Sequence, residues 1–225
     1  TNLSPLETRM NGGIELMDNI HQQKLNARYL ARGLFIEFHL FTRERPILDS
    51  EGIPDLSNKL IRGGPVWRDF ITGLGADYAN VAAPDVFMAL ERNMIQGVGW
   101  PIIGLEDASW RQHLNYRIDP GVFSSDMGII FNLQRWHSLS QQVQELLEKA
   151  AINYEIKSYS RFQELTRTQD KQMRQNGMQI LSLNEGGEKK YRELANNVIW
   201  SRLQKRVPEH YAELRRKFYR SGDSD

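Results

Sequence analysis

Apolar residues near the start of the chain follow first a helical and then a strand-like spacing. Between Ile14 and Arg32 they recur at the intervals of an amphipathic helix, and Gly33 is a natural end for it. The next segment, 34–41, is dense in aromatic and branched residues. Because it lies between that glycine and the turn at Pro46, it is predicted to form a buried strand.

Strand-like and helical segments continue to alternate through the middle of the chain. A short apolar run is followed by two glycines and by Pro65, a residue that suits the first turn of a helix. Such alternation is typical of an α/β architecture with parallel strands. The predicted segments are strands at 59–62, 78–82 and 127–131 and helices at 66–74 and 85–93.

The segment 138–176 contains neither proline nor glycine, and Gly177 closes it. Ser138 and Gln141 have the spacing of a capping box at a helix start. A continuous helix of this span is about 57 Å long, so it either crosses two lobes or forms a coiled-coil arm. The heptad pattern breaks after Tyr154, which favours the crossing helix. Two shorter helices are predicted at 188–205 and 208–220.

The composition limits the classes of protein that the chain can belong to. It has 225 residues, of which 40% are hydrophobic and 25% are charged, as in an ordinary globular protein. The formal net charge of +1 gives no global attraction to nucleic acid or membranes, and the absence of cysteine excludes disulfides. No apolar run of about 18 residues predicts a membrane span. The first residues lack the basic and apolar regions of a signal peptide.

The sequence gives little support for catalysis. Five histidines are scattered without metal-ligand spacing, and neither a Gly-x-Ser-x-Gly elbow nor a Walker loop occurs. We therefore expect no enzymatic activity, no metal and no cofactor. An enzymatic hypothesis would require His39 and Asp126 to meet in one cleft.

Arg62 stands at the end of a predicted strand, followed by Gly63, Gly64 and a helix start. Ligands usually bind beyond the carboxyl ends of strands in α/β sheets. The two glycines let backbone amides approach a ligand, and a helix start favours an anion. Arginine matches a carboxylate with two hydrogen bonds. Arg62 is therefore a candidate carboxylate ligand, and a surface arginine that caps a loop is the alternative.

Trp100 lies between Gly99 and Pro101 on a predicted loop. A tryptophan in this setting is either a plug that packs against the core or one wall of a binding pocket. For a globular protein the plug is the default interpretation.

From Lys59 to Pro101 the sequence resembles the periplasmic solute-binding proteins of TRAP transporters, the DctP-type family. Further downstream, the family's strand, asparagine and tryptophan before a long helix have counterparts, so the resemblance covers nearly the whole chain. The stretches that carry it are Lys59-Leu-Ile-Arg62-Gly-Gly-Pro65, Leu74-Gly75-Ala76, Pro84-Asp-Val-Phe-Met-Ala-Leu-Glu91, Gly97, Trp100-Pro101 and Ile129-Ile-Phe-Asn132 with Trp136.

This resemblance implies an α/β fold of the two-lobe periplasmic-binding-protein type, with the long helix spanning both lobes. It also implies that the first lobe is incomplete, because the chain starts late in that lobe. On this basis we expect 1–36 and 150–189 to form the remainder of lobe I. The second lobe is expected to comprise 37–149 and 190–225.

The implied function is that of an extracytoplasmic, periplasmic solute-binding protein without enzymatic activity. Such a protein captures a small organic acid by hinge closure and delivers it to the membrane permease subunits of the transporter. Neither nucleic acid nor direct membrane insertion is implied. The alternative from the residues alone is a helical interaction or scaffold module built on the 138–176 helix, without a small-molecule ligand.

The resemblance also assigns candidate ligand-binding residues. Arg62 takes the place of the family's carboxylate-binding arginine. His39 falls where many members have a second arginine; it would donate to an anionic ligand, or it is a buried structural histidine. The complete candidate set is Arg62, His39, Trp100, Ser124, Gly63, Gly64 and Asp126.

Overall fold

The computed structural model describes residues 3–220, which fold as two compact units. The first unit is formed by 3–36, 124–164 and 203–220, and the second by 37–123 and 165–202. Within this described range, no helix combines the length and the apolar character needed to cross a membrane.

The second unit is built on a mixed sheet with the strand order β5-β4-β6-β1-β7-β8. The β4 strand pairs in parallel with β5 and β6, and β7 pairs in parallel with β8, but β1 runs antiparallel to β6. The predicted parallel strands are therefore confirmed for β4, β5 and β6 and for β7 with β8, but the pair of β1 and β6 is antiparallel. The strands are β1 (Ala27–Thr42), β4 (Leu60–Arg62), β5 (Asp77–Ala79), β6 (Gly97–Pro101), β7 (Tyr116–Asn132) and β8 (Gln179–Ser182), with a separate β2–β3 pair (Ile47–Leu48 and Pro54–Asp55).

Alternate side chains of this sheet enter two apolar clusters. Leu40 and Ile61 pack in one cluster with the helices α3 and α7, while Phe41 and Val98 pack in the other with α4 and the end of α6. This alternation follows from the two-residue period of a β-strand. The helices concerned are α3 (Arg68–Gly73), α4 (Val86–Glu91), α6 (Gln141–Gln175) and α7 (Glu185–Arg206), with 3₁₀ turns at Pro65–Trp67, Ala83–Asp85 and Trp110–His113.

The first unit has a smaller apolar interior. Its buried cluster comprises Leu30 and Ala31 of β1, Trp136 and Ala151. The long elements β1, β7 and α6 contribute residues to both units, and so does α7. The helices that lie in the first unit alone are α1 (Pro5–Met10), α2 (Gly13–Leu25), α5 (Leu133–His137) and α8 (Pro208–Phe218).

The first predicted helix is too long at its C-terminal end. The helix ends at Leu25, because Asn26 adopts a left-handed backbone conformation with φ of 49°. Residues 27–32 instead begin β1, and Gly33, expected as the helix stop, lies inside that strand. The predicted strand at 34–41 is confirmed as part of β1.

The long helix is confirmed as α6, whose 35 residues span about 52 Å. Its predicted capping box is wrong, because Ser138 caps the C-terminus of α5. The hydroxyl of Ser140 instead accepts a hydrogen bond from the amide of Val143 at 3.4 Å.

The two units differ from the expected lobes in three segments. Residues 203–220 belong to the first unit, where the side-chain amide of Asn11 donates a hydrogen bond to the carbonyl of Lys217 at 2.8 Å. Residues 124–149 belong to the first unit, because Trp136 and Leu147 pack against Leu30 and Ala31. Residues 165–189 belong to the second unit, because β8 pairs with the first residues of β7. The expected boundary at 36/37 coincides with the boundary between the units.

Candidate functional site

Three of the predicted ligand-binding residues lie on one face of the second unit's sheet. His39 and Trp100 are directly opposite each other in the β1–β6 ladder. Arg62 is aligned with Val98, two residues before Trp100, in the β4–β6 ladder. Since partners in a ladder and residues two apart on a strand share a face, the three side chains form a diagonal row across the sheet.

Arg62 is a buried cation whose only hydrogen-bond acceptor in the described chain is a carbonyl. The residue is 8% exposed, and its Nε donates to the carbonyl oxygen of Val81 at 3.0 Å. Among residues 3–220, no carboxylate pairs with its guanidinium. Burial lowers the pKa of Arg62, and the electrostatic interaction with Tyr78 raises it by a smaller amount. A buried charge is costly unless it is paired, so the arginine has an unmet demand for an anion.

The two glycines after Arg62 have different roles. A Cβ atom on Gly63 would lie 2.5 Å from the Cβ of Trp67, so this glycine permits close packing. The amide of Gly63 is also occupied, since it donates to the carbonyl of Ala79 at 3.2 Å. Gly64 faces open space. The helix that follows consists of a 3₁₀ turn and the six-residue α3, which is too short to provide the expected helix-terminal attraction for an anion.

Trp100 is packed between other side chains rather than forming an open wall. The Arg62 guanidinium lies 5.1 Å from the centre of its ring. Trp110 meets the indole at 4.8 Å in an edge-to-face arrangement. The indole nitrogen is buried and has no hydrogen-bond partner among the described residues. Trp100 therefore agrees with the interpretation as a packing plug, and the face of its ring also contacts the cation of Arg62.

His39 is 4% exposed, and its two ring nitrogens have different surroundings. The Nδ1 atom lies 3.0 Å from an oxygen of Asp119 and 3.3 Å from the carbonyl oxygen of Ile118. The Nε2 atom is buried without a hydrogen-bond partner in the described chain, and a carboxylate oxygen of Glu37 lies 3.7 Å from it.

A cavity of about 390 Å³ opens beside His39, entirely within the second unit. Part of its lining is an ionic network in which Arg117 donates to Asp119 at 2.7 Å and to Asp170 at 2.5 Å. For Asp119, burial opposes ionisation, but the hydrogen bonds from His39 and Arg117 outweigh it and hold the pKa well below its ordinary value. Both carboxylates therefore carry their charge inside the cavity wall.

Glu37, Arg117, Asp119 and Asp170 were not predicted from the sequence. A pattern that could have revealed two of them is the pair Arg117 and Asp119, charged residues on either side of the apolar Ile118 in a strand. Charged residues at alternate positions of a buried strand usually mark either an ion pair or a site.

Ser124 and Asp126 belong to the first unit and are not brought together with Arg62 inside one unit. Ser124 is exposed. Asp126 accepts a short hydrogen bond from Nε of Arg32, so its charge is already paired. The acidic partners of His39 are Asp119 and Glu37, both from its own unit. Among residues 3–220, no group of histidine and carboxylate side chains is arranged to hold a metal ion.

The fold is similar to that of solved TRAP periplasmic solute-binding proteins. The protein from Pseudomonas putida F1, with bound D-glucuronate, has a TM-score of 0.74 and 17% identity over 96% of this chain and 70% of that one. The protein from Haemophilus influenzae RdAW, with bound L-gulonate, has a TM-score of 0.75 and 17% identity over 95% of this chain and 70% of that one. A Bordetella pertussis extracytoplasmic solute receptor binding pyroglutamic acid has a TM-score of 0.76 and 16% identity over 95% of this chain and 70% of that one.

These similarities show that the chain has the α/β fold of these solved proteins, in agreement with the fold class predicted from the sequence. Residues 38–206, most of the chain, match the DctP family, described as bacterial extracellular solute-binding protein, family 7. The chain therefore belongs to this family of solute-binding proteins.

Proposed function

We propose that this protein binds a small organic acid and that Arg62 pairs with the acid's carboxylate. The observation that carries the proposal is that Arg62, a residue only 8% exposed, has no carboxylate partner for its guanidinium among residues 3–220. A carboxylate from a ligand would supply the missing charge and accept two parallel hydrogen bonds.

The surroundings of Arg62 hold the guanidinium ready for such a ligand. Its Nε is occupied by the carbonyl of Val81, which leaves the terminal nitrogens to face the acid. The ring of Trp100 supports the cation from one side. Gly64 leaves open space in which a ligand can approach the backbone. In this proposal Trp100 acts mainly by positioning Arg62.

The ligands of similar proteins agree with an organic acid. D-Glucuronate, L-gulonate and pyroglutamic acid, bound by three proteins of the same fold, all carry a carboxylate. We further propose that the protein works in the periplasm, where two lobes close on the acid and the loaded protein delivers it to the membrane permease of a TRAP transporter. Hinge closure of this kind is driven by ligand contacts that only the closed state makes.

A thermal-shift screen of the full-length protein against monocarboxylates, dicarboxylates, oxo acids and sugar acids should identify stabilising ligands. Calorimetry would then compare wild type with Arg62→Gln and with Arg68→Gln, a control at an exposed arginine of the same unit. We expect Arg62→Gln to weaken binding by about 2–5 kcal/mol and the control to bind as wild type. Unchanged carboxylate affinity in Arg62→Gln would refute the assignment.

A second candidate function, a helical interaction module, is favoured by the exposed apolar side chains of α6. Leu146 is 66% exposed and Ile156 is 57% exposed. Apolar surface of this kind is typical of interaction surfaces. Concentration-dependent association in sedimentation experiments, together with no thermal shift from any acid, would favour this function over solute binding.

A further inference from the structure

The dipeptide Asn-Gly occurs twice in the chain, at Asn11–Gly12 and at Asn176–Gly177. In such a dipeptide the main-chain nitrogen of the glycine can attack the side-chain amide carbon of the asparagine and form a cyclic imide. Glycine favours this attack because it has no Cβ atom to obstruct the approach. The first pair lies in the first unit and the second pair in the second unit, so the same local chemistry meets different surroundings.

The side chain of Asn11 is held at both of its polar atoms. Its Oδ1 accepts a hydrogen bond from the amide of Gly13 at 2.9 Å, and its Nδ2 donates to the carbonyl of Lys217 at 2.8 Å. A rotation of this side-chain amide towards the nitrogen of Gly12 would strain or break both bonds. Each lost bond adds to the free energy that the attack requires, so the first pair is protected.

The side chain of Asn176 is held much less firmly. The residue is exposed and follows α6 directly. Among residues 3–220 its side chain makes a single hydrogen bond, in which Nδ2 donates to the carboxylate of Glu106 at 3.3 Å. This distance is at the long end of the range for such bonds. The amide of Asn176 therefore loses little when it turns towards Gly177.

The backbone does not distinguish the two pairs. The amide of Gly177 donates to the carbonyl of Arg174 at 3.0 Å, and the amide of Gly12 donates to that of Arg9 at 3.2 Å. In both places a turn at a helix end must open before the glycine nitrogen can attack. Openings of this kind at helix ends cost little free energy. The difference between the two pairs therefore comes from the asparagine side chains.

We infer that Asn176 is a site of spontaneous deamidation and that Asn11 is protected from it. A bond forms between the nitrogen of Gly177 and Cγ of Asn176, and the bond from Cγ to Nδ2 breaks. The hydrogen of the glycine amide leaves with the side-chain nitrogen as ammonia. Water then adds to either carbonyl of the cyclic imide and opens it, which gives aspartate or isoaspartate. Neither step requires a bound ligand, so the inference goes beyond the proposed function.

The modification changes the end of α6 in two ways. It places a carboxylate beside that of Glu106, at the C-terminal end of a helix, where negative charge is unfavourable. Isoaspartate also inserts a methylene group into the main chain close to Met178, which is 5% exposed and packs with Met173 in an apolar cluster of the second unit. Deamidation is therefore expected to lower the stability of the second unit as the protein ages.

Mass spectrometry of the full-length protein tests the site directly. The protein is incubated at mildly alkaline pH, and digested samples are followed for the replacement of amide by acid at both pairs. In the folded protein Asn176 should react at least about ten-fold faster than Asn11, because fewer hydrogen bonds hold it. In urea the two rates should become similar. Asn176→Gln should abolish the modification there, and the matched control Asn11→Gln should leave the rate at Asn176 unchanged.

Equal rates in the folded protein, or a faster reaction at Asn11, would overturn the inference. So would an unmodified Asn176 in the folded protein under conditions in which the unfolded chain reacts. A second measurement tests the consequence for stability. Aged wild type should unfold at a lower urea concentration than fresh wild type, whereas Asn176→Gln should not change with age. Aged wild type that is as stable as fresh protein, despite complete modification, would contradict the expected effect on the second unit.

Discussion

The two units of the chain are stabilised in different ways. The second unit contains two apolar clusters of fourteen and twelve buried residues, whereas the cluster in the first unit has four. The first unit instead holds charged groups in its interior. Arg32 is 2% exposed and Glu155 is fully buried, and each is paired within the unit. Buried ion pairs therefore accompany a small apolar cluster in the first unit, whereas in the second unit the pair of the buried Arg117 with Asp119 lies beside two large apolar clusters.

The two units also differ in how many large apolar side chains they expose on their surfaces. In the first unit, large apolar side chains are exposed on helices and on β7; they include Leu6, Met10, Leu25, Met127, Ile130, Leu146 and Ile156. The second unit buries most of its apolar residues on the two sides of the sheet, and one face of that sheet holds Arg62, a buried cation without a carboxylate partner among residues 3–220. This contrast suggests that the second unit supplies a rigid platform for ligand recognition.

The largest expected effect comes from opening a cavity in the second unit. Phe70 is fully buried and contacts the rings of Phe123 at 5.3 Å and Tyr191 at 5.2 Å. Phe70→Ala should lower the free energy of unfolding by about 3–5 kcal/mol, measured by urea denaturation. Met88→Ala, at a 43% exposed residue of the same unit, is the control and should cost far less. Equal losses in the two variants would contradict the packing account.

Removing a buried charge in the first unit should have an intermediate effect on the free energy of unfolding. Arg32 donates to Asp126 and, at 2.8 Å, to the hydroxyl of Thr8. Arg32→Met keeps the apolar stem but leaves both acceptors without their donor, and should cost about 1.5–3 kcal/mol in urea denaturation. Arg216→Met, at a side chain that is 73% exposed, is the control. A neutral or stabilising Arg32→Met would show that the ion pairs do not hold this unit.

The ionic network of the cavity should make the second unit sensitive to acid. The pKa of Asp119 is lower in the folded protein than in the unfolded chain, where it is about 3.9. As the pH falls, the unfolded chain binds the proton first, so the stabilisation is complete above about pH 4 and is lost through the lower folded pKa.

Asp119→Asn should therefore cost on the order of 1–2 kcal/mol at neutral pH, and the difference from wild type should shrink in acid. Urea denaturation at a series of pH values measures both effects. A difference between the two proteins that stays constant down to the lowest pH would count against this assignment of the pKa.

The smallest expected effect concerns the ring beneath Arg62. Trp100→Leu removes the cation–π contact and should weaken carboxylate binding about three- to ten-fold, whereas Trp100→Phe should recover most of the affinity. Calorimetry with the best acid from the screen measures both variants. If Phe and Leu bind equally, Trp100 does not act through the face of its ring.

Much of the fold could be predicted because its periodicity is local. The long helix followed from the absence of proline and glycine over 138–176, and the strand at 34–41 from its aromatic and branched residues. The start of β1 could not be predicted, because 27–32 also fits a helical stripe and the left-handed Asn26 decides the outcome. The antiparallel pairing of β1 with β6 depends on contacts between distant segments, which local patterns do not contain.

Only part of the candidate site could be predicted from the sequence. Arg62 was identified because it follows a strand and precedes two glycines, a local pattern. Glu37 and Asp119 gain their significance from His39 and Gly121, which the sheet brings near them from other positions in the chain. The sequence also did not show that Asp126 has its own arginine partner.

The most direct test of the central claim is a structure of the full-length protein with the tightest-binding acid from the screen. The account predicts that the ligand carboxylate lies within about 3 Å of the terminal guanidinium nitrogens of Arg62, with the ring of Trp100 still against that side chain. A carboxylate bound elsewhere, for example at Arg192 in the lining of the 390 Å³ cavity, with Arg62 still unpaired, would contradict it.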